Sequence, residues 1–204
     1  MDDALASLAA AGFDLAHAFD ARLLAQLPAW AAHADGPPVG YLIGNTRALW
    51  APFRAALRDP ALAADANPLE RYTEQTIGAA LPTARVWYAH RQYDGAYLPF
   101  QPLAIASGLG AAADSHLVIH PTFGPWFALR AVVLVEGTPP VRAPIAKPCR
   151  CTAACGDALA IALASGDWRA WVAVRGACSL SAHRYSEDQI RYHYRSAWLT
   201  LRRP

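Results

Sequence analysis

The densest group of chemically capable side chains lies between Ile119 and Arg130, in the run IHPTFGPWFALR. It combines a histidine before a proline, three aromatic residues and one arginine within a largely apolar region. An imidazole can coordinate a metal or hydrogen-bond to a carbonyl group or water. A guanidinium in an apolar run needs a partner, because burying a charge unpaired is costly. The stretch is therefore the first candidate for a binding site.

Two histidines of this region raise the question of a metal centre. His116 and His120 would lie on one face of an extended strand together with Val118, because strand side chains alternate. Pro121 restricts His120 to an extended backbone. No carboxylate or third histidine accompanies the two rings at ligand spacing. We therefore predict no metal site, and expect the rings to bond to a buried carbonyl or water, or to line a binding surface.

The aromatic residues and the arginine of the stretch have two interpretations each. Phe123, Trp126 and Phe127 are more typical of a hydrophobic core than of a cofactor platform. Arg130 follows Trp126 by four residues, so on a strand both would point to the same face. The partner of Arg130 is expected to be either an internal acid such as Glu136 or a carboxylate of a ligand.

The four cysteines lie in the C-terminal region, at Cys149, Cys151, Cys155 and Cys178. The C-x-C-x₃-C spacing of the first three matches only the second half of the ferredoxin pattern C-x₂-C-x₂-C-x₃-C. Four thiols can hold a zinc ion or a cluster, but the partial pattern favours separate thiols or a redox pair. We treat all four as candidate redox thiols.

The same region concentrates arginine and aromatic residues. Ser186 and Gln189 form a capping box, which predicts that a helix begins there. The hydrogen-bonding groups on and before this helix are too many for a simple surface and predict a polar, cationic pocket wall. They are Tyr185, Arg191, Tyr192, His193, Tyr194 and Arg195, with Trp168, Arg169, Trp171 and Arg175 from the preceding segment.

The elements that must position these residues follow from apolar spacing, caps and breakers. We predict helices over 2–11, 20–32, 68–80 and 103–113, strands over 39–44, 84–89, 116–119 and 127–135, and a proline-rich linker over 137–148. Such an irregular alternation predicts an α+β sandwich, with helices packed on a mostly antiparallel sheet. We expect residues 1–148 to form the core and residues 149–204 a Cys/Arg-rich lobe completing the same domain.

Composition excludes several classes of protein. The chain of 204 residues is 54% hydrophobic and 17% charged, which is typical of a globular protein. A formal net charge of +2 argues against nucleic acid as a partner. No apolar run approaches the ~20 residues that span a membrane, and the acidic start lacks the basic residues of a signal peptide. We therefore expect a cytoplasmic protein with reduced cysteines.

A resemblance adds to this picture. The run IHPTFGPWFALRAVVLVEG, followed later by RYSEDQIRYH, resembles the CblC (MMACHC) family of cobalamin-processing proteins, named for methylmalonic aciduria and homocystinuria type C. The segments GFDLAHAFDARLLAQLP, GYLIGNTRALWAPFRAAL and DWRAW fall in the family's order, so the resemblance covers nearly the whole chain. The family's proline-rich C-terminal tail is absent, which is expected of a bacterial-type member. The resemblance implies a nitroreductase-like α+β sandwich, similar to flavin-dependent reductases.

The resemblance also implies a function. The family binds cobalamin with the lower base displaced, and removes the upper ligand by reductive decyanation or by transferring an alkyl group to a thiol. Glutathione or another low-molecular-weight thiol is the implied co-substrate, and FMN or FAD a candidate electron source. A flavoprotein reductase or an acceptor enzyme is a candidate partner, and a homodimer stays open. The alternatives are a flavin-dependent reductase and a non-catalytic cobalamin carrier.

Site residues are carried over position by position. Arg130, Arg175 and Arg195 match arginines that hold the carboxylates of the thiol. Ser115 matches a strand serine beside the cobalamin, and Ser107 stands where animal members carry a histidine. Residues 111–115 are too few to hold the hairpin that covers the corrin in those members. The assigned cobalamin-binding residues are Ser107, Ser115, His116, His120, Phe123 and Trp126.

Overall fold

The computed structural model describes residues 1–141, 143–149 and 153–200, without the side chains of 195–200. The α-helices are α1 Asp2–Ala10, α2 Trp50–Ala56, α3 Pro60–Ala63, α4 Pro68–Ala80, α5 Phe100–Ala106, α6 Ala153–Ser165, α7 Trp168–Gly176 and α8 Glu187–Thr200. The strands are β1 Leu15–Asp20, β2 Val39–Asn45, β3 Arg85–Tyr88, β4 Gln92–Tyr93, β5 Ala96–Tyr97, β6 Ala111–Ala112, β7 Val118–Ile119 and β8 Ala128–Val135. Within the described ranges, no helix is both long enough and apolar enough to span a lipid bilayer.

The chain divides into two compact units. The first comprises residues 1–109 and 128–144, and the second residues 110–127 and 145–204. The predicted boundary at residue 148 lies near the passage from 144 to 145. Residues 110–127, which the sequence assigned to the core, cluster with the C-terminal region instead.

The first unit is built on a four-stranded antiparallel sheet with the strand order β1-β2-β8-β3. Residues 131–134 of β8 are all buried, and β2 is buried along most of its length. An apolar run of this kind is typical of a strand that is covered on both faces. Helix α4 contacts α1, α2 and α3 in the same unit.

A cross-strand pair shapes the edge of this sheet. Phe19 of β1 lies directly opposite Gly40 of β2. A Cβ atom at Gly40 would come within 2.2 Å of the Phe19 ring, which is 1% exposed. The aromatic ring therefore covers the backbone of the glycine, an arrangement that compensates for the missing side chain.

The second unit contains the β6-β7 hairpin and the helices α6, α7 and α8. Helix α6 packs on α7, and α7 packs on α8. The main hydrophobic cluster joins Trp126, Val172, Tyr185 and Ile190, with Trp168 and Tyr194 packed against it. Trp126 is the residue of this cluster that comes from the stretch with which the sequence analysis began.

Strong local signals predicted several elements correctly. Helix α1 ends before Gly12, β2 covers the predicted strand, and α4 begins at Pro68 after its N-cap Asn67. Helix α8 follows Ser186, whose Oγ accepts a hydrogen bond from the backbone N of Gln189 at 3.3 Å. The α+β class with an antiparallel sheet is confirmed.

Other predicted elements are wrong. The predicted helix over 20–32 does not form. Strand β1 ends at Asp20, and two 3₁₀ turns follow, Ala21–Gln26 and Ala31–His33. The helix over 103–113 covers only 100–106. The predicted strand over 116–119 is reduced to two residues, which pair with β6 and not with β8.

Candidate functional site

Arg130 lies at an irregularity of β8. Its neighbours Leu129 and Ala131 pair with Gly44 and Ile43, which are adjacent in β2. Arg130 is therefore the extra residue of a β-bulge. A bulge bends the strand and redirects the side chain of the extra residue, and bulges are frequent beside active sites.

A chain of hydrogen bonds holds the Arg130 side chain in place. Its Nε donates to Oδ1 of the fully buried Asn45 at 2.7 Å, and Asn45 Nδ2 donates to the carbonyl of Thr46 at 2.9 Å. The backbone N and Oγ1 of Thr46 donate to the carboxylate of Asp14 at 2.8 and 2.5 Å. Glu136, the internal acid that was one of the two alternatives for the partner of Arg130, is exposed. The Asn45 amide is one partner that the structure shows.

Ser107 lines a cavity of about 520 Å³ within the first unit. It is buried and ends α5, rather than lying inside a helix as predicted. Its Oγ donates to the carbonyl of Ala104 at 3.2 Å, and its own carbonyl lies 2.9 Å from His17 Nε2. The other walls are Phe19, Asp20, Arg22, Leu23, Gln26, Ala106, Pro140 and Pro144.

The cavity carries one ion pair. Arg22 Nη2 lies 2.5 Å from Asp20 Oδ2, and Arg22 Nε donates to the same carboxylate at 3.0 Å. The hydrogen bond from the Arg22 side chain lowers the pKa of Asp20 below its usual value, against a smaller opposing effect of burial. The remaining walls are largely apolar.

Ser115 and His116 lie in the loop of the β6-β7 hairpin. His116 is exposed, has a φ of +59°, and its backbone N donates to the carbonyl of Ala113 at 3.0 Å. This left-handed conformation closes a turn. The prediction that His116 and His120 share one face of a strand is therefore wrong. Ser115 beside it is buried.

His120 stabilises the turn that follows. Its Nδ1 accepts hydrogen bonds from the backbone N of Thr122 at 3.0 Å and of Phe123 at 3.2 Å. The His120 ring stacks on Phe123 with a centroid separation of 4.6 Å. The backbones of His120 and Gly124 exchange two hydrogen bonds of 2.9 Å. The described contacts thus support the structural interpretation of this histidine.

Trp126 lies outside β8, so the predicted alternation with Arg130 along one strand is wrong. The tryptophan is fully buried in the second unit. Two guanidinium groups lie over its ring, with Arg184 Cζ 5.3 Å and Arg175 Cζ 5.9 Å from the ring centroid. Tyr185 contacts it edge to face at 5.5 Å. Arg175 therefore makes a cation–π contact with the ring of Trp126.

A second cavity, of about 430 Å³, lies within the second unit. Its walls come from the N-terminal parts of α7 and α8 and from Arg184, which lies three residues before α8. They are Trp168, Arg169, Val172, Arg184, Glu187, Ile190 and Arg191. The cationic wall predicted for this region is therefore present, although Arg184 was not among the residues predicted to form it.

The thiols that the structure describes are buried. Cys149 and Cys178 belong to one hydrophobic cluster with Ile119, and Cys155 Sγ lies 3.4 Å from the carbonyl of Ala177. Cys151 lies outside the described residues, as does the side chain of Arg195. Among the residues described, no three His, Cys, Asp or Glu side chains are arranged to hold a metal ion.

The predicted site residues divide between the two units. Ser107 and Arg130 belong to the first, and Ser115, His116, His120, Phe123, Trp126 and Arg175 to the second. Sequence reasoning missed Asn45 as the acceptor for Arg130, since the two residues are 85 positions apart in the sequence. It also missed Arg184, whose only signal was its place two residues before the capping box.

Comparison with known proteins gives two kinds of likeness. The chain is 42% identical over 81 residues to the human protein named cyanocobalamin reductase / alkylcobalamin dealkylase, and 40% identical over 75 residues to its bovine counterpart. These segments cover 38% and 36% of this chain. They cover 27% and 26% of the relatives, so the match spans about a quarter of their length. No family model matches the chain.

The likeness in fold extends over the whole chain. The crystal structure of the C. elegans B12-trafficking protein CblC matches with a TM-score of 0.64, over 98% of this chain and 92% of that one. The sequence identity is 17%. This shared fold confirms the predicted nitroreductase-like α+β architecture. The local sequence likeness and the likeness in fold thus point to the same group of proteins, those of the CblC family that the sequence resembles.

Proposed function

We propose that the protein binds cobalamin and removes its upper axial ligand, by reductive decyanation or by thiol-dependent dealkylation. The observation that carries this proposal is the 42% identity over 81 residues with the human protein of that activity. The fold shared with the C. elegans protein supports it over the rest of the chain.

Arg130 is the residue proposed to hold a carboxylate of the thiol. It is half-buried, and the bulge and the Asn45 amide fix its orientation before any ligand arrives. A guanidinium that is already oriented loses little entropy when it binds a carboxylate, and it can bind with two parallel hydrogen bonds. Orienting the thiol in this way can supply several kcal/mol of the barrier for attack, on the order of 5 or more.

Arg175, which belongs to the second unit, is proposed from the family resemblance to hold a thiol carboxylate. It is half-buried and stacked over Trp126, which limits its rotamers. Arg195 is the third proposed member of this group, and its side chain lies outside the described part of the chain.

Size sets a limit on where the corrinoid fits. Sites for drug-sized ligands have volumes of about 300–1,000 Å³, and a cobalamin is much larger than such ligands. Neither the 520 Å³ cavity of the first unit nor the 430 Å³ cavity of the second can enclose a whole cobalamin. We propose that the Ser107 cavity, with its apolar walls around Phe19, receives one part of the corrinoid.

The chemistry divides between the substrate and the protein. In dealkylation the thiolate sulfur bonds to the alkyl carbon, the carbon–cobalt bond breaks, and its electron pair stays on cobalt. In decyanation, reduction of cobalt weakens the bond to cyanide, which leaves; the electrons come from an external reductant, proposed to be FMN or FAD on a flavoprotein reductase. The protein supplies orientation and electrostatics, through the arginines that hold the thiol.

Cobalamin binding can be tested by absorption spectroscopy. Purified protein at high micromolar concentration is mixed with cyanocobalamin. We expect the visible spectrum to shift to that of the form without its lower base. Addition of glutathione to the complex with methylcobalamin is then expected to yield the alkylated thiol. An unchanged spectrum would rule out the proposal.

A second candidate function is carriage without turnover. The structural relative is named a B12-trafficking protein, which favours this alternative. The two functions are separated by the same experiment. Stoichiometric binding of cobalamin, with no loss of the upper ligand in the presence of glutathione or reduced flavin, would identify a carrier.

A further inference from the structure

The 430 Å³ cavity of the second unit is lined by three arginines and one acid. The arginines are Arg169, Arg184 and Arg191, and the acid is Glu187. None of the three arginines matches a position that the family resemblance assigned to a ligand. The cavity therefore needs an explanation of its own.

The acids near this cavity neutralise only part of its charge. Arg184 Nη2 lies 2.5 Å from Glu187 Oε1, so these two side chains form an ion pair. Arg169 lies 3.8 Å from Asp167, beyond hydrogen-bonding distance. Within the described part of the chain, Arg191 has no hydrogen bond or ion pair. Two of the three guanidinium groups can therefore donate to a bound group.

A buried donor lies under the same wall. Trp126 is fully buried and packs with Val172 and Ile190, both of which line the cavity. Its Nε1 has no hydrogen-bond acceptor among the described residues. Arg184, which lines the cavity, lies over the Trp126 ring. Buried N–H groups in native proteins have partners in the great majority of cases, so this N–H is an unsatisfied donor in the cluster that packs behind the cavity wall.

The shape and walls narrow the ligand class. The volume is in the range of small-molecule sites. Arginines bind phosphate and carboxylate oxygens with paired hydrogen bonds, and two available guanidinium groups match the double charge of a phosphate better than the single charge of a carboxylate. Trp168, Val172 and Ile190 add an apolar side. We propose that this cavity binds a phosphomonoester that carries an organic group.

This proposal is independent of cobalamin processing. Calorimetric titration of the full chain with inorganic phosphate and with adenosine 5′-monophosphate tests it. We expect both to bind, and the nucleotide to bind more tightly because its organic part contacts the apolar side. Arg191→Gln is expected to weaken both by about tenfold or more, a loss of about 1.4 kcal/mol.

Arg54 offers a matched control, because it is an exposed arginine of α2 in the first unit. Arg54→Gln should leave phosphate binding unchanged. Absence of binding by both probes at concentrations on the order of 10 mM would overturn the proposal. Equal binding by the Arg191→Gln and Arg54→Gln variants would do the same. Tighter, Arg191-dependent binding of glutathione than of either phosphate compound would assign the cavity to carboxylates instead.

Discussion

Arg130 Nε donates a 2.7 Å hydrogen bond to Oδ1 of Asn45, from the bulge of one strand to the end of its neighbour. Asn45 is fully buried and Arg130 is half-buried. The Asn45 amide accepts from one nitrogen of the guanidinium and thereby fixes the orientation of the side chain. Because the amide is neutral, this hydrogen bond does not itself reduce the positive charge.

This relationship predicts coupling between Asn45→Ala and Arg130→Ala. Asn45→Ala removes the acceptor of the Arg130 Nε and one of the donors to the Thr46 carbonyl, which costs about 1–3 kcal/mol of unfolding free energy. In the Arg130→Ala background part of that loss should be absent, so the two effects should not add. Urea unfolding of the two single variants and the double variant measures the difference. Additive losses would mean that the hydrogen bond contributes nothing.

A functional prediction concerns the charge of Arg130. Arg130→Ala should lower thiol-dependent dealkylation by about tenfold or more while cobalamin binding changes little, because the residue is proposed to hold the thiol and not the corrin. Arg130→Lys should restore only part of the rate, since an ammonium lacks the planar fork. The rate is measured as alkylated thiol formed, and binding from the visible spectrum. Equal loss of both would place Arg130 at the corrin instead.

The elements that could be predicted are those whose signals are local. Helix α4 begins with Pro68, a residue favoured at the first helical position, and α8 follows the Ser186 cap, because both signals act within one turn of chain. Strand β1, Leu15–Asp20, was not predicted. It is defined by its pairing with β2, which lies elsewhere in the sequence. The leucines that follow it have helical spacing, which predicted a helix, but the structure forms 3₁₀ turns there.

The sequence named candidate site residues by type but could not arrange them. Arg130 is half-buried, and its bulge depends on the register between β2 and β8, which are far apart in sequence. His120 was expected on a strand, whereas its ring holds a turn together. The clustering of Arg184 over Trp126 requires the packing of α7 against α8. Such contacts follow from tertiary structure, which the spacing of residues does not contain.

A stability prediction follows from the Phe19–Gly40 pair. Gly40→Ala would bring a Cβ within 2.2 Å of the buried Phe19 ring. The ring has to move or the strands have to separate, so we expect a loss of about 1–3 kcal/mol. Gly78 of α4 is the control, because a Cβ there has no atom within 4 Å. Gly78→Ala should stabilise the helix by about 0.5–1 kcal/mol. Thermal unfolding of both variants tests the contrast.

The stability of the protein at acid pH should depend on the ionisation of Glu74. Arg91 donates to both of its oxygens at 2.6 Å, and His90 Nε2 lies 2.8 Å from Oε1. These contacts, Arg91 first, lower the pKa of Glu74 below its usual value. A carboxyl group with a lowered folded pKa stabilises the fold above its unfolded pKa, and that stability is lost as pH falls through the folded pKa.

Glu74→Gln should therefore be less stable than the unchanged protein at pH 7, by about 1 kcal/mol for a partly exposed pair. The difference should shrink as pH falls below about 4, where the unfolded carboxyl is protonated. Urea unfolding at several pH values measures it. Glu136→Gln, at an exposed position, is the control and should show no such trend. A difference that stays constant down to pH 2 would contradict the assignment.

The turn of the central stretch depends on Gly124. Its φ is +57°, and a Cβ there would lie 1.9 Å from the carbonyl oxygen of Leu180. The left-handed conformation alone costs an alanine roughly 1–2 kcal/mol, and the clash with backbone cannot be relieved by a side-chain rotation. Gly124→Ala should therefore destabilise the protein by more than about 2 kcal/mol. Gly156, inside α6 of the same unit, has open space around it, so Gly156→Ala should stabilise by about 0.5–1 kcal/mol. If the two substitutions had equal effects on the melting temperature, the close approach of Gly124 to Leu180 would not exist in solution.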